Sequence, residues 1–159
     1  VVVNKSTFPA INFEKNGTRE ADIFVGATNT LQMRTDDTNA LTIDGSQNAT
    51  FSGNVTATGN VTAYSDRKLK DNLEVIPDAL DKVCSLTGYT YDRNDVESSR
   101  QSGIIAQDVQ KVLPEVVTKH IDNETKEETL SVAYGNMVGL LIEAIKELKA
   151  EVEELKGNK

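Results

Sequence analysis

The sequence predicts an α+β chain in two unlike parts, and three observations support this prediction. Before residue 64, apolar residues alternate with polar ones, which is the period of a β-strand. After residue 65, segments with helical spacing alternate with short strand patterns. At about 134–156 an apolar heptad pattern is typical of a coiled-coil helix. We therefore expect an all-β segment at 1–64 and a helix-rich domain at 65–159.

Composition excludes several classes of function. Hydrophobic residues make up 38% of the 159 residues, below the usual share, which disfavours a single large core. A net charge of −8 disfavours nucleic acid and anionic membranes as partners. No apolar run is long enough for membrane insertion. The start, Val1 to Asn4, has no initiator Met and no signal-peptide pattern, and we interpret it as the cut end of a longer polypeptide.

No cofactor or metal is expected from the sequence. Cys84 is the single cysteine, so it cannot form an internal disulfide or a cysteine-based metal cluster. No glycine-rich phosphate loop or carboxylate metal loop is present.

The first part shows short strand patterns at intervals of about ten residues. The alternating apolar residues are Ile11 and Phe13, Ile23 and Val25, Leu31 and Met33, and Leu41 and Ile43. Asn16–Gly17 is a residue pair that tolerates the positive φ angles of a two-residue hairpin turn. Turns are also expected at Asp36–Asn39 and Asp44–Gly45. The pattern predicts a meander or a similar all-β array.

A hexapeptide is nearly repeated at the end of this part. Ser52–Ala57 and Thr58–Ala63 each contain one apolar valine. One valine in six residues buries little surface within a single chain, so the repeat must stack on other copies. We expect a trimeric fibre in which three chains share one thin core. A flexible linker is the alternative interpretation.

The second part begins with a predicted helix from Pro77 to Leu86. Pro77 suits a first helical turn, Asp78 adds negative charge there, and Gly88 is expected to end the helix. The apolar face consists of Ala79, Leu80, Val83 and Leu86. We interpret the neighbouring Cys84 as a small core residue.

Mixed elements follow this helix. Tyr89 and Tyr91 predict a strand, 94–102 a polar loop, and Gln107–Leu113 a helix that Pro114 stops. A hairpin of Glu115–Ile121 and Glu128–Val132 is expected, joined by 122–126. His120 lies on its first strand without a supporting motif, so a Cys84–His120 catalytic pair is a weak hypothesis.

The last predicted element is a helix from about Tyr134 to Lys156 with a heptad seam. The seam consists of Tyr134, Val138, Leu141, Ile145, Leu148, Val152 and Leu155. β-Branched residues at a with Leu at d favour parallel dimers, whereas the β-repeat upstream favours trimers, and we expect the trimer. Glu151 at g and Lys156 at e are candidates for pairing between chains. A helix packed on its own domain is the alternative.

Three ordered motifs resemble the intramolecular chaperone auto-processing domain found at the C-terminus of phage tailspikes and tail fibres. The run 65–72, Ser-Asp-Arg-Lys-Leu-Lys-Asp-Asn, resembles its opening. Gly103–Val109 with Leu113–Val117 looks like its second hallmark, and Leu130–Tyr134 before a coiled coil looks like its third. The resemblance covers about 65–156. Residues 1–64 resemble phage fibre stems only in general style.

The resemblance implies a homotrimer whose C-terminal domain assembles the preceding fibre and then cleaves itself off between Tyr64 and Ser65. Ser65 would be the nucleophile and Lys70 the general base of a single-turnover serine autoprotease. The mature fibre would belong to the virion tail and bind a bacterial surface glycan or receptor. Assembly would take place in the host cytoplasm.

The chemistry of such a Ser-Lys dyad sets physical requirements. A lysine accepts the serine proton only as a neutral amine, which burial favours because desolvation penalises the ammonium form. Among the neighbours, Arg67 and Lys68 favour the neutral amine, whereas Asp66 and Asp71 oppose it. The hydroxyl would attack the preceding carbonyl, and water would hydrolyse the resulting ester. Alternatively, Ser65 caps a turn and Lys70 is solvated.

A second function of a different class is a purely structural trimeric adhesin stalk with a permanent trimerisation domain. Self-cleavage predicts two fragments, 1–64 and 65–159, whereas the stalk predicts one intact chain.

Overall fold

The computed structural model describes residues 9–26, 29–95, 99–121 and 125–157. The chain divides into two compact units, 1–65 and 66–159. The initial run Val1 to Asn4 lies outside the described residues. Parts of the predicted loops 94–102 and 122–126 also lie outside them.

The first unit is an antiparallel meander of five strands in sequence order. The strands are β1 (Ala10–Lys15), β2 (Thr18–Val25), β3 (Leu31–Thr35), β4 (Thr38–Ile43) and β5 (Ala49–Phe51). The predicted strand patterns at β1 to β4 are confirmed, whereas the short β5 was not predicted.

Two of the turns in the meander show why the sequence specifies its hairpins. Asn16 and Gly17 both have positive φ, 53° and 78°, which is the backbone of a two-residue turn that matches strand twist. Asp36 and Asp37 also have positive φ angles, 50° and 57°. The second turn is shorter than the predicted Asp36–Asn39, because β4 already begins at Thr38.

The repeated hexapeptides, 52–57 and 58–63, contain no strand or helix in this single chain. Both of their valines, Val55 and Val61, are exposed. The single chain therefore gives the repeat nothing to pack against. Stacking with other copies stays a prediction.

The second unit mixes short helices with two small hairpins. Its elements are a 3-10 turn (Arg67–Leu69), α1 (Ala79–Ser85), β6 (Gly88–Tyr91), β7 (Gln101–Ile104), α2 (Ala106–Val112), a 3-10 turn (Pro114–Val116), β8 (Val117–Ile121), β9 (Glu128–Val132), a 3-10 turn (Tyr134–Met137) and α3 (Val138–Gly157). β6 pairs with β7, and β8 pairs with β9, both antiparallel. The sequence prediction missed β7 because Gln101 and Ser102 are polar and lie in a predicted loop.

Several predicted boundaries shift for local reasons. The first helix begins at Ala79 rather than Pro77, because Asp78 has a left-handed φ of 51° and cannot be helical. It ends at Ser85, so that Gly88 opens β6 instead of ending the helix. Pro114 starts a 3-10 turn, which delays the predicted strand at Glu115 until Val117.

The core of the second unit lies between α1, α2 and α3. Its buried residues are Ala79, Val109, Leu113, Val116, Met137, Leu140 and Ala144. Leu80, Val83 and Leu86 pack against this cluster, which confirms the predicted face of the first helix. Cys84, however, is exposed. The interpretation of Cys84 as a core residue is wrong, because one position beyond Val83 the helix turns its side chain away from the cluster.

The helix α3 presents different residues on two faces. Leu140 and Ala144 are buried in the core of the second unit. All seven residues of the predicted heptad seam are exposed, and Tyr134 lies in the 3-10 turn before α3. Helix packing on its own domain and an exposed heptad seam, given above as alternatives, therefore occur together on neighbouring sides of the helix, because consecutive residues such as Leu140 and Leu141 are about 100° apart around its axis. Association through the seam stays a prediction.

Candidate active site

The candidate nucleophile lies at the junction of the two units. Ser65 is the last residue of the first unit, and Asp66 opens the second. Tyr64, on the other side of the predicted scissile bond, has a side chain that is 97% exposed. Ser65 and Lys70 are both exposed as well. Both residues that flank the predicted scissile bond are therefore exposed in the single chain.

A short 3-10 turn separates the two candidate catalytic residues along the chain. Asp66 caps this turn, its Oδ1 accepting a hydrogen bond from the Lys68 amide at 3.0 Å. The Lys70 amide closes the turn by donating to the carbonyl of Arg67 at 3.1 Å. The turn shortens the backbone path between positions 65 and 70 relative to an extended chain.

The charges around the turn are partly paired with one another. Lys68 Nζ lies 3.4 Å from Asp66 Oδ2, so the carboxylate of Asp66 meets both the amide and the ammonium of Lys68. Both side chains are mostly exposed, and such a pair contributes little to stability. Two residues of opposite charge, paired with each other, therefore lie between Ser65 and Lys70 in the sequence.

Both residues that the resemblance assigns to the dyad are exposed in the single chain. Their roles as nucleophile and general base stay a prediction.

The other two motifs meet inside the second unit. β8 and β9 pair through Val117–Val132, and the Ala133 amide donates to the carbonyl of Val116 at 2.8 Å. The Ile104 amide donates to Tyr134 Oη at 3.2 Å. The second and third motifs thus hold each other in place by backbone and phenol hydrogen bonds.

Gly103 shows why that junction needs a glycine. A Cβ built on Gly103 would lie 2.5 Å from Tyr134 Oη, which is closer than a carbon–oxygen contact allows. Glycine inside a strand indicates close approach of another group, but the strand that contains Gly103 was not predicted. The contact between Gly103 and Tyr134 was therefore missed.

Glu147 is a second residue that sequence reasoning missed. Its carboxylate accepts hydrogen bonds from the amides of Ala79 at 3.0 Å and Leu80 at 2.7 Å. These bonds, first that from Leu80 and then that from Ala79, hold the pKa of Glu147 below its ordinary value. The long helix α3 therefore caps α1, although Asp78 makes no such side-chain bond.

The rival site proposed from single residues stays unsupported. His120 lies on β8 as predicted, with Nε2 2.8 Å from Ser131 Oγ on β9. Cys84 lies on α1 and is exposed. Within the described ranges, no group of three or more histidine, cysteine or carboxylate side chains is arranged to hold a metal ion. None of the helices described has the length and apolar character of a membrane span.

Comparison with known proteins agrees with the motifs. Residues 65–118 match the model of a peptidase family described as chaperone of endosialidase. This segment is therefore similar to the chaperone-of-endosialidase domain, and the resemblance stated from the motifs is confirmed.

Curated proteins that are similar to this chain include long tail fiber proteins of phages. The chain is 40% identical over 97 residues to the long tail fiber protein Gp37 of Enterobacteria phage K3, covering 58% of this chain and 8% of that protein. It is 42% identical over 101 residues to Gp37 of Enterobacteria phage M1, covering 58% of this chain and 38% of that protein. The chain thus spans well under half the length of these two relatives.

A more distant relative and one solved structure extend over more of the chain. Gp37 of Salmonella phage S16 is 27% identical over 139 residues, covering 83% of this chain and 18% of that protein. The carboxy-terminal domain of the bacteriophage T5 L-shaped tail fiber with its intra-molecular chaperone domain aligns with a TM-score of 0.46. The aligned region is 8% identical and covers 96% of this chain and 54% of that one.

Proposed function

We propose that this chain is the C-terminal part of a phage tail fibre, with a fibre segment at 1–64 and an intramolecular chaperone at 65–159. The chaperone aligns three chains into a homotrimer, and the bond between Tyr64 and Ser65 is then cut. The fibre remains in the virion tail and attaches to the host surface. The match of 65–118 to the chaperone-of-endosialidase family is the observation on which the proposal rests.

The exposed seam of α3 supports association of identical chains. A soluble helix normally buries its apolar stripe, yet Ile145 on the a/d seam is 66% exposed in the single chain. The same helix is already anchored to its own domain by Leu140 and Glu147. The a/d stripe is thus available for a second and a third helix without disturbing the fold of the domain.

Association also supports the proposed chemistry. Ser65 acts as nucleophile and Lys70 as general base, and both are exposed, one on each side of the 3-10 turn Arg67–Leu69. Covering this turn with neighbouring chains would desolvate Lys70 and favour its neutral form. Cleavage would then follow assembly rather than precede it, which is the order that a removable chaperone needs.

Denaturing electrophoresis and intact-mass measurement test the cleavage. The wild-type chain is expected to give the fragments 1–64 and 65–159, whereas Ser65→Ala and Lys70→Met give one intact chain. Ser52→Ala and Lys111→Met are the matched controls, and both should be cleaved like the wild type. Full cleavage of Ser65→Ala would overturn the assigned nucleophile. An intact wild-type assembly would favour the structural stalk with a permanent trimerisation domain.

A further inference from the structure

One face of the β1–β5 sheet is apolar from edge to edge. Strand register places Ile11, Ile23, Met33, Leu41 and Phe51 in one row across all five strands. A second row consists of Val25, Leu31, Ile43 and Ala49. Side chains two positions apart along a strand share a face, so the two rows form one continuous surface. We call these nine residues the apolar sheet face.

The opposite face of the same sheet is polar and satisfied within the chain. Asp22 is only 2% exposed and accepts hydrogen bonds from Arg34 Nε at 2.9 Å and from its Nη2. Arg19 lies 3.2 Å from the same carboxylate, and the Arg34 guanidinium stacks 4.2 Å from the ring centre of Phe24. This face needs no partner to satisfy its charges.

The apolar sheet face, in contrast, is uncovered. Phe51 at its edge is 52% exposed and Met33 at its centre 40% exposed. A shallow depression of about 380 Å³ runs over Phe13, Ile23, Met33, Leu41 and Phe51. Contiguous exposed apolar surface of this kind marks an interaction site.

Charge indicates which partner fits this surface. The chain carries a net charge of −8, so two copies repel each other over most of their surfaces. The nine residues of the apolar sheet face carry no charge. Copies of this chain can therefore meet here without bringing like charges together.

The size of the face indicates how such a contact is held. Five strands about 4.8 Å apart, with a mean length of about 18 Å, give a projected area of about 400 Å². A stable interface between independent proteins buries about 800 Å² per partner. A partner held only by this face would dissociate, whereas one tethered by a second contact in the same chain benefits from a high effective concentration. The exposed seam of α3 supplies that second contact.

We propose that the apolar sheet face packs against the same face of other copies of this chain, with the Asp22–Arg34 face turned to solvent. This inference rests on the association step of the proposed function and names the surface that the fibre segment uses. The occupant is the identical sheet of a chain already joined through α3.

Cysteine reactivity in the full-length chain tests the proposal. Cys84 is first replaced, Cys84→Ser, because it is exposed. Met33→Cys and Gln32→Cys then place one thiol on each face of the same strand. In the single chain Met33 is exposed and Gln32 half-buried, so an uncovered sheet would make position 33 at least as reactive as position 32. We expect the reverse, with maleimide modification of position 33 about tenfold slower.

Crosslinking identifies what covers the face. Since packed sheets lie about 10 Å apart, a bifunctional maleimide of that reach should join Met33→Cys between chains and leave Gln32→Cys unjoined. Leu41→Cys and Thr42→Cys on β4 repeat the comparison independently. Equal reactivity at both positions, or protection of position 33 without crosslinks between chains, would overturn the inference.

The same gels separate this inference from the proposed cleavage. Crosslinks at position 33 in an uncleaved chain would support the sheet contact and count against the autoprotease. Release of 65–159 without such crosslinks would support the autoprotease and refute the sheet contact.

Discussion

The two units bury different kinds of residue. All seven buried hydrophobic residues of the described chain lie in the second unit, between Ala79 and Ala144. Among the described residues of the first unit, the buried one is a carboxylate, Asp22. Since burial of apolar surface is the main favourable term in folding, the second unit has its own source of stability. The first unit has ordered hairpins, but its described apolar residues are only half-buried or exposed.

Under the proposed function, this difference would let the two units have different roles in assembly. The second unit keeps its core intact and still exposes the seam of α3, so it can fold first and associate afterwards. A β-structure built from separate chains forms slowly, because its contacts are intermolecular. A folded, associating unit at the C-terminal end would hold three such segments in register. We infer that the chaperone folds before the first unit and compensates for the apolar core that the first unit lacks.

The largest expected effect sharpens the contrast between the two sides of α3. Leu140 is fully buried, and we expect Leu140→Ala to lower the unfolding free energy of the second unit by about 2–5 kcal/mol. The next residue, Leu141, is on the exposed seam. Leu141→Ala should change the unfolding free energy of the second unit by less than about 0.5 kcal/mol. Urea unfolding of both variants, in a background carrying Ile145→Glu to prevent association, makes the comparison. Equal losses would show that the two sides of the helix do not differ.

A smaller effect is expected in the first unit. Asp22→Asn removes the charge that Arg34 binds at two nitrogens, which should cost about 1–3 kcal/mol. Amide hydrogen exchange along β2 and β3 measures the loss, with the exposed Glu20→Gln as control. Unchanged exchange in Asp22→Asn would mean that the ion pair does not hold the sheet.

Acid gives an independent check of the same carboxylate. The hydrogen bonds from Arg34 hold the pKa of Asp22 below its ordinary value of 3.8. This contribution to stability is therefore complete above that value and is lost as the pH falls from it towards the lower, folded pKa. The Asp22→Asn variant should not show the loss of stability that protonation of Asp22 causes in this pH range.

The smallest effect is expected at the link between α3 and α1. Glu147→Gln weakens the cap, because an amide oxygen is a poorer acceptor than a carboxylate for the amides of Ala79 and Leu80. Those two amides should exchange faster, while the core around Val109 stays protected. Glu154→Gln, on the same helix and exposed, is the matched control. Unaltered exchange at Ala79 and Leu80 would contradict the assigned cap.

The sequence predicted the strands and turns that depend on neighbouring residues, and it missed contacts between residues that are far apart in the chain. Alternation at Ile23 and Val25, or the turn at Asn16–Gly17, depends on neighbours in the chain, and these elements were found. β7 was missed because Gln101 is polar and is part of a strand only through its pairing with Tyr91. The cap was missed because Glu147 and Ala79 are 68 positions apart, a distance over which no local pattern operates.

The candidate site follows the same logic. The motif predicts Ser65, Lys70 and the bond after Tyr64, and these assignments stay predictions. The turn between the two residues forms from local capping by Asp66, so local sequence accounts for its backbone. Under the proposed function, the groups that would cover the turn belong to other chains, which the sequence of one chain does not reveal.

The central claim is that cleavage depends on association through α3. Ile145→Glu places a charge on the exposed seam, and Ala150→Glu places the same charge elsewhere on the exposed surface of the same helix. Native mass and the released fragment 65–159 are measured together for both variants. We predict that Ile145→Glu is monomeric and uncleaved, and that Ala150→Glu is trimeric and cleaved. A monomeric Ile145→Glu chain that releases the fragment at the wild-type rate would contradict the claim.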